Sequence, residues 1–200
     1  MGAILNCTHS FLLDRNVEET LILLFQKESL SEQFLKERAE FQKVWYNRGM
    51  ISHNETELIA LGEQLGKLLE KQDVIILSGD LGAGKTTFTK GIAKGLGIDQ
   101  MIKSPTYTIV REYEGRLPFY HLDVYRIGND PDSIDLDDFL FGEGATIIEW
   151  GELIEPSLSD AYLKIFIRKL EDGRELEFEP HGARAEALLA SFEQVGDTDA

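Results

Sequence analysis

Basic residues are scarce in this chain of 200 residues, which has 20 Lys and Arg against 36 Asp and Glu and a formal net charge of −16. Such an acidic surface repels phosphate backbones, so we expect that the protein does not bind nucleic acid directly and acts on it only through a partner protein. The scarcity is greatest between Asn129 and Asp160, where ten acids occur without a Lys or Arg. That stretch is either a solvated face or a docking surface for a basic partner.

Cysteine and long apolar runs are also nearly absent. Cys7 is alone, which excludes an internal disulfide and a thiolate metal site. The apolar run over residues 21–25 is far shorter than the roughly 18 residues of a membrane span, and it lacks the flanks of a signal peptide. With 42% hydrophobic residues the chain can still bury a core. We therefore predict a globular, cytoplasmic protein without a membrane segment.

Charge divides the chain near residue 50. Residues 1–49 contain six basic and seven acidic side chains, whereas residues 50–200 contain 14 and 29. The first part has apolar residues at helical spacing, which predicts a helical N-terminal extension. Two origins for it stay open: a genuine helical arm, or an upstream misreading of the start codon with Met50 as the true first residue.

From residue 51 onward, strand and helix patterns alternate. The texture indicates an α/β domain over residues 50–200, with a mixed β-sheet flanked by helices. The predicted order is a helix with an apolar stripe from Leu58 to Leu69, a strand at 74–78, a helix at 86–96, a hairpin of strands 107–111 and 117–122, a strand at 146–149, a hairpin of strands 162–168 and 175–179, and a helix at 183–192.

A glycine-rich segment between the first strand and the second helix matches the pattern G-x-x-x-x-G-K-[ST] in full. Its glycines allow the backbone amides to point at phosphate oxygens, and the helix that follows adds the positive end of its dipole. Lys85 would reach the β- and γ-phosphates, and the Thr86 hydroxyl would ligate Mg²⁺. The nucleotide-binding residues predicted here are Gly79, Asp80, Leu81, Gly82, Ala83, Gly84, Lys85, Thr86 and Thr87.

Acids at strand ends supply the second group of candidates. Glu149 directly follows the apolar residues 147–148, and its carboxylate either holds Mg²⁺ or is only solvated. His121 and Asp123 would share one face of a strand. For Asp123 three roles stay open: it holds a metal-bound water, acts as a base, or only accepts a hydrogen bond from His121. Arg126 contacts a phosphate or a carboxylate, or it forms a structural ion pair.

The segment Ser104-Pro-Thr-Tyr107 lies between the second helix and the first hairpin. Many nucleotide hydrolases place a switch segment there, which reads the γ-phosphate through a hydroxyl. A plain turn leading into a strand is the other interpretation.

These segments occur together and in order, at residues 79–88, 104–108, 121–126 and 148–150. In this combination residues 52–179 resemble the TsaE family, bacterial P-loop ATPases needed to make threonylcarbamoyladenosine at position 37 of tRNAs. The resemblance implies a P-loop NTPase-like fold, binding of ATP and Mg²⁺, and slow ATP hydrolysis by the isolated protein. It also implies association with TsaB and TsaD, with tRNA reached only through that complex.

The resemblance implies roles for individual residues as well. Thr86 and Glu149 would ligate Mg²⁺, Asp123 would activate water, and Lys85 would complete the catalytic set. Arg174 would lie near the nucleotide, and Trp150 would lie on the nucleotide side or the partner side of the site. Two other classes stay open, a P-loop kinase acting on a small molecule and a regulatory nucleotide-binding module without turnover. The cation-free stretch over 129–160 disfavours the kinase, which needs a basic lid over the phosphates.

Overall fold

The computed structural model describes residues 49–127, 136–158 and 160–196. All of them belong to the second of the two units into which the chain divides, Trp45–Ala200. The predicted helical extension lies outside the described residues, apart from Gly49, and stays a prediction. Residues 128–135, which include the beginning of the acidic stretch over 129–160, also lie outside the described residues. Within the described ranges no helix is both long and apolar enough to cross a membrane.

The described elements alternate between strand and helix, as the sequence predicts. In chain order they are β1 (Met50–Ser52), α1 (Glu55–Leu68), β2 (Val74–Ser78), α2 (Lys85–Gly95), β3 (Val110–Glu114), β4 (Pro118–Asp123), α3 (Asp137–Leu140), β5 (Ala145–Glu149), β6 (Tyr162–Leu170), β7 (Gly173–His181) and α4 (Gly182–Gly196). Two short 3-10 turns, Gly151–Leu153 and Glu155–Ser157, follow β5.

The strands form one mixed sheet in the order β1-β7-β6-β2-β5-β4-β3. The central strands β6, β2, β5 and β4 are parallel, and antiparallel strands complete both sides. Every residue of β2 and β5 is buried, as expected for parallel strands covered on both faces. The carboxyl ends of β2, β5 and β4 therefore meet at one edge of the sheet, where open α/β sheets bind ligands.

Helices cover both faces of the sheet, which confirms the predicted fold class. One face packs on α1, α2 and α4 through a cluster that includes Leu65, Phe88 and Phe192. The opposite face packs on α3 and the 3-10 turns through residues such as Leu140 and Ile154. Successive residues of β2 point to opposite clusters, so its continuous apolar run reflects burial on both sides.

The first helix begins with a side-chain cap. Asn54 accepts a hydrogen bond from the Glu57 amide at 2.9 Å, and the Glu57 carboxylate accepts one from the His53 amide at 2.7 Å. This reciprocal arrangement satisfies amides that a helix start leaves without intrahelical partners. It fixes the start of the helix that packs against α2.

The structure differs from the predicted elements at one strand boundary, at one additional strand and in the length of the last helix. The strand expected from Tyr107 begins at Val110, because the amides of Thr108 and Ile109 both donate to the Pro105 carbonyl and close a turn. The strand β1 was not predicted at all, since three residues are too few to show an alternating pattern. Both hairpins form as expected, and the last helix is longer than predicted.

Candidate functional site

The phosphate loop (residues 79–86) connects the end of β2 to the start of α2, as the motif predicts. Gly79 has a φ of 132°, and a Cβ there would lie 2.2 Å from the Ile167 carbonyl oxygen of β6. Gly84 has a φ of 118° and is the residue before the helix. Only glycine adopts these conformations readily, so the loop geometry depends on these two positions.

Lys85 is buried inside this loop. Its Nζ donates to the Gly79 carbonyl at 2.5 Å and to the Asp80 carbonyl at 3.1 Å, and it lies 3.7 Å from the centre of the Trp150 ring. Burial lowers the pKa of Lys85 below its usual 10.5, and nearby carboxylates, with Glu149 first, oppose that shift. Backbone carbonyl oxygens thus hold the lysine in the loop, at the position where this motif uses it to bind phosphate.

Thr86 and Glu149 meet where α2 begins and β5 ends. The Thr86 hydroxyl lies 2.9 Å from one Glu149 carboxylate oxygen and 3.1 Å from the other. Glu149 is only 3% exposed, so it is not the solvated strand-end residue of the alternative interpretation. Two residues that are 63 positions apart in the sequence are therefore brought together as the metal-site prediction requires.

His121 contacts Glu149 and not Asp123. The His121 Nε2 lies 2.8 Å from a Glu149 carboxylate oxygen, and both side chains are buried. Among the hydrogen bonds of the described residues, none joins His121 to Asp123, so the pairing that the sequence left open is wrong. The register of β4 against β5, which sets Asp123 opposite Glu149, brings His121 to the same side of the sheet.

Asp123 is fixed by the Ser104-Pro-Thr-Tyr107 segment. One of its carboxylate oxygens accepts hydrogen bonds from the Ser104 hydroxyl at 3.0 Å and the Thr106 hydroxyl at 2.7 Å. The other oxygen accepts one from the Tyr125 amide at 3.2 Å. The segment that could read a γ-phosphate thus donates its hydroxyls to the acid beside Glu149, a link that the sequence did not reveal.

Aromatic side chains lie beside the loop. Trp150 has a left-handed backbone with a φ of 63° and stacks near Tyr125, with ring centres 5.0 Å apart. Arg126 lies over the Tyr107 ring at 4.5 Å, and none of the ion pairs among the described residues includes it. Its contact with a phosphate stays a prediction. Glu152 was missed by sequence reasoning and accepts a hydrogen bond from the Ser78 hydroxyl at 2.6 Å.

Arg174 reaches the loop from the hairpin of β6 and β7. Its Nε donates to the Ala83 carbonyl at 2.6 Å, and a second guanidinium nitrogen donates to the Gly173 carbonyl at 2.7 Å. An arginine 91 positions away is thus held against the phosphate loop. Its guanidinium adds positive charge to a site that otherwise has Lys85 as its buried cation.

The donor set suits a magnesium nucleotide. Thr86 and Glu149 offer oxygen atoms, which Mg²⁺ prefers, and this ion is usually held by one or two protein groups together with phosphates and water. In the described part of the chain, no cluster of three or more His, Cys, Asp or Glu residues could hold a metal by itself. A metal here would therefore depend on phosphate oxygens as well as on Thr86 and Glu149.

A phosphate loop between a buried parallel strand and a helix, with an acid at the end of the next strand, defines a P-loop-type α/β protein. A family model described as "Threonylcarbamoyl adenosine biosynthesis protein TsaE" matches residues 52–176. The chain belongs to the TsaE family.

Individual relatives support that assignment. The TsaE protein of Bacillus subtilis is 44% identical over 137 residues, which are 68% of this chain and 87% of the relative. The TsaE protein of Treponema pallidum is 42% identical over 125 residues, 62% of this chain and 93% of the relative. The crystal structure of Bacillus subtilis YdiB is similar in fold, with a TM-score of 0.67 and 39% identity, and the match covers 74% of this chain and 95% of YdiB.

Proposed function

We propose that this protein is a Mg²⁺-dependent ATPase that assists a TsaB–TsaD complex in making threonylcarbamoyladenosine in tRNA. Membership of the TsaE family supports a place in that biosynthesis. The observation that supports ATPase activity is the contact between Thr86 and Glu149 at 2.9 Å, beside a complete phosphate loop. It combines the two groups that hold Mg²⁺ in this class of site.

The loop would bind the triphosphate of ATP. Backbone amides of the phosphate loop and the first turn of α2 would surround phosphate oxygens, and Lys85 would exchange its carbonyl partners for them. Arg174 would add charge from the side of Ala83. Thr86 and Glu149 would hold Mg²⁺, which neutralises charge on the phosphates when bound.

Asp123 would orient the attacking water. It is 3% exposed, lies opposite Glu149 in the sheet, and is held by donors on both of its oxygens. A fixed acceptor at this point would keep a water in line for attack, and such positioning is one of the main contributions that a protein makes to phosphoryl transfer.

Partners and location follow from charge and pathway. A net charge of −16 disfavours direct binding of tRNA, so we propose that TsaB and TsaD hold the tRNA while this protein acts on their complex. The cytoplasm, where tRNA is modified, is the proposed location.

Phosphate release from ATP tests this proposal. The full chain is assayed alone and with TsaB, TsaD and tRNA, in the presence and absence of Mg²⁺. We expect slow Mg²⁺-dependent hydrolysis that rises with the partners, and loss of that hydrolysis in Glu149→Gln. Glu143→Gln is the matched control. The Glu143 side chain is 77% exposed and lies outside the site, so this substitution removes the same charge without touching the site.

Three results would contradict the proposal. Hydrolysis that is equal in Glu149→Gln and in the control would remove Glu149 from the site. Labelled phosphate on an organic product, with ATP and cell metabolites supplied, would favour the small-molecule kinase. Bound ATP that is not hydrolysed even with both partners would favour a regulatory module.

A further inference from the structure

A buried histidine lies behind the proposed metal ligand. His121 is 0% exposed on β4, in the interior of the sheet, and its Nε2 lies 2.8 Å from one oxygen of Glu149. Its other ring nitrogen, Nδ1, is buried and has no hydrogen-bond partner. The histidine therefore makes one polar contact in the described structure, and that contact is with the Glu149 carboxylate.

The direction of this hydrogen bond follows from the partners. An ionised carboxylate only accepts, so the hydrogen lies on His121 Nε2. Nδ1 is then left as a buried polar atom without a hydrogen-bond partner in the described structure. Such a group costs free energy that an apolar side chain of similar size would not cost. Packing alone therefore does not favour histidine at this position.

Thr86 does not fix the carboxylate by itself. Its hydroxyl lies within 3.1 Å of both Glu149 oxygens and has one hydrogen to donate, so it does not select between them. His121 contacts only one oxygen, Oε1. With Oε1 held by His121 from the sheet interior, the carboxylate is no longer free to turn, and Oε2 keeps a fixed place 3.1 Å from the Thr86 hydroxyl.

We propose that His121 is a positioning residue that holds Glu149 in the orientation needed to bind Mg²⁺ beside the nucleotide. This inference rests on the proposed function, since it assigns Glu149 to the metal. Groups that hold metal ligands in place commonly change metal affinity or activity by about 10–100-fold when they are removed. His121 would act in that way, without touching nucleotide or metal.

The competing interpretation is that His121 only fills space. It stacks near Phe119, with ring centres 6.4 Å apart, and that contact would survive in an apolar replacement. The two interpretations differ in what a donor at the Nε2 position should do, and that difference can be tested with three variants.

The variants separate donor, reach and volume. His121→Gln carries an amide nitrogen that can reach the Nε2 position, whereas the shorter His121→Asn places its amide nearer to the Nδ1 position. His121→Leu keeps an apolar side chain and removes every donor. Calorimetry on the full chain measures the affinity for a non-hydrolysable ATP analogue with and without Mg²⁺, and thermal unfolding shows whether each variant is folded.

The expected result is a selective loss of coupling between metal and nucleotide. In His121→Leu and His121→Asn, Mg²⁺ should strengthen analogue binding about 10–100-fold less than in the wild type, and the KM for the magnesium nucleotide should rise with it, because hydrolysis is slow. Affinity without Mg²⁺ should stay within about threefold, because the loop amides and Lys85 are untouched. His121→Gln should restore most of the coupling. If His121→Leu does not fold, the Asn and Gln variants alone decide.

Two outcomes would overturn the inference. Wild-type coupling in a folded Leu or Asn variant would show that Glu149 needs no donor from His121. Equal loss in the Gln and Asn variants would show that the ring shape matters and not the hydrogen bond. A wild-type protein that binds the analogue with no effect of Mg²⁺ would instead contradict the proposed function, and the positioning role with it.

Discussion

Replacing Gly91 by alanine should force α1 and α2 apart and destabilise the domain. The two helices touch backbone to backbone, because glycines lie at the contact on both sides: Gly62 and Gly66 on α1, and Gly91 and Gly95 on α2. A Cβ on residue 91 would lie 2.2 Å from the Ile59 carbonyl oxygen and 2.9 Å from the Gly62 Cα. Both distances are far below ordinary contact, and the atoms met are backbone.

The size of the effect follows from these distances. To restore an ordinary contact, one helix must move by about 1 Å, which also loosens the buried cluster to which Leu65 and Ile92 belong. Overpacking of this kind costs about 1–3 kcal/mol. The greater helix propensity of alanine returns about 0.5–1 kcal/mol. Because the atoms met are backbone atoms that cannot move aside, we expect the upper half of that overpacking cost, so the net loss should be about 1–2.5 kcal/mol. This corresponds to a fall in Tm of roughly 2–10 °C for a domain of this size.

Thermal unfolding followed by circular dichroism measures this loss. Lys90→Ala is the control, because Lys90 lies on the exposed side of the same helix and its ion pair with Glu55, at 3.9 Å, is weak. We expect the control to unfold within about 2 °C of the wild type. A Gly91→Ala variant as stable as the wild type would show that the helices separate at no cost and would refute the reasoning.

Three further substitutions have distinct expected results. Arg174→Ala removes the hydrogen bond to Ala83 and should weaken ATP binding about tenfold with kcat little changed; calorimetry showing unchanged affinity would contradict this. Asp123→Asn should lower kcat about 100-fold while ATP affinity changes only slightly, and an equal loss of both would assign Asp123 to binding. Burial raises the pKa of Glu155, but hydrogen bonds from Lys164 and Tyr162 outweigh it and hold that pKa below its usual 4.5. The ionised carboxylate therefore stabilises the fold above pH 4.5, and this stabilisation is lost as the pH falls through the pKa of the folded state. Glu155→Gln should lose less stability than the wild type on acidification. If the free energy of unfolding falls equally with pH in both proteins, this prediction is wrong.

The contiguous part of the site could be predicted from the sequence. The phosphate loop is a local pattern, since its glycines, lysine and threonine act within one turn between a strand and a helix. The strand–helix order of residues 50–200 could also be predicted, because the spacing of apolar residues along the chain differs between buried strands and amphipathic helices. Glu149 was found by the same means, as an acid at the end of an apolar run.

The contacts between distant strands could not be predicted in the same way. His121 meets Glu149 because β4 and β5 are parallel neighbours in one particular register, and a single sequence does not state that register. The Glu152 contact with Ser78 spans 74 positions and has no local signal. The close approach of α1 and α2 does have a signal in the sequence, the pairs of glycines spaced four residues apart, but these glycines lie outside the apolar stripes from which the helices were predicted.

Calorimetric titration of the folded protein with ATP and Mg²⁺ tests the central claim most directly. Wild type should bind one nucleotide per chain, and Lys85→Ala should bind at least about tenfold more weakly, because it loses the buried ammonium that the loop holds for phosphate. No heat of binding for the wild type, alone or with TsaB and TsaD, would contradict the account, as would equal affinity in a folded Lys85→Ala variant.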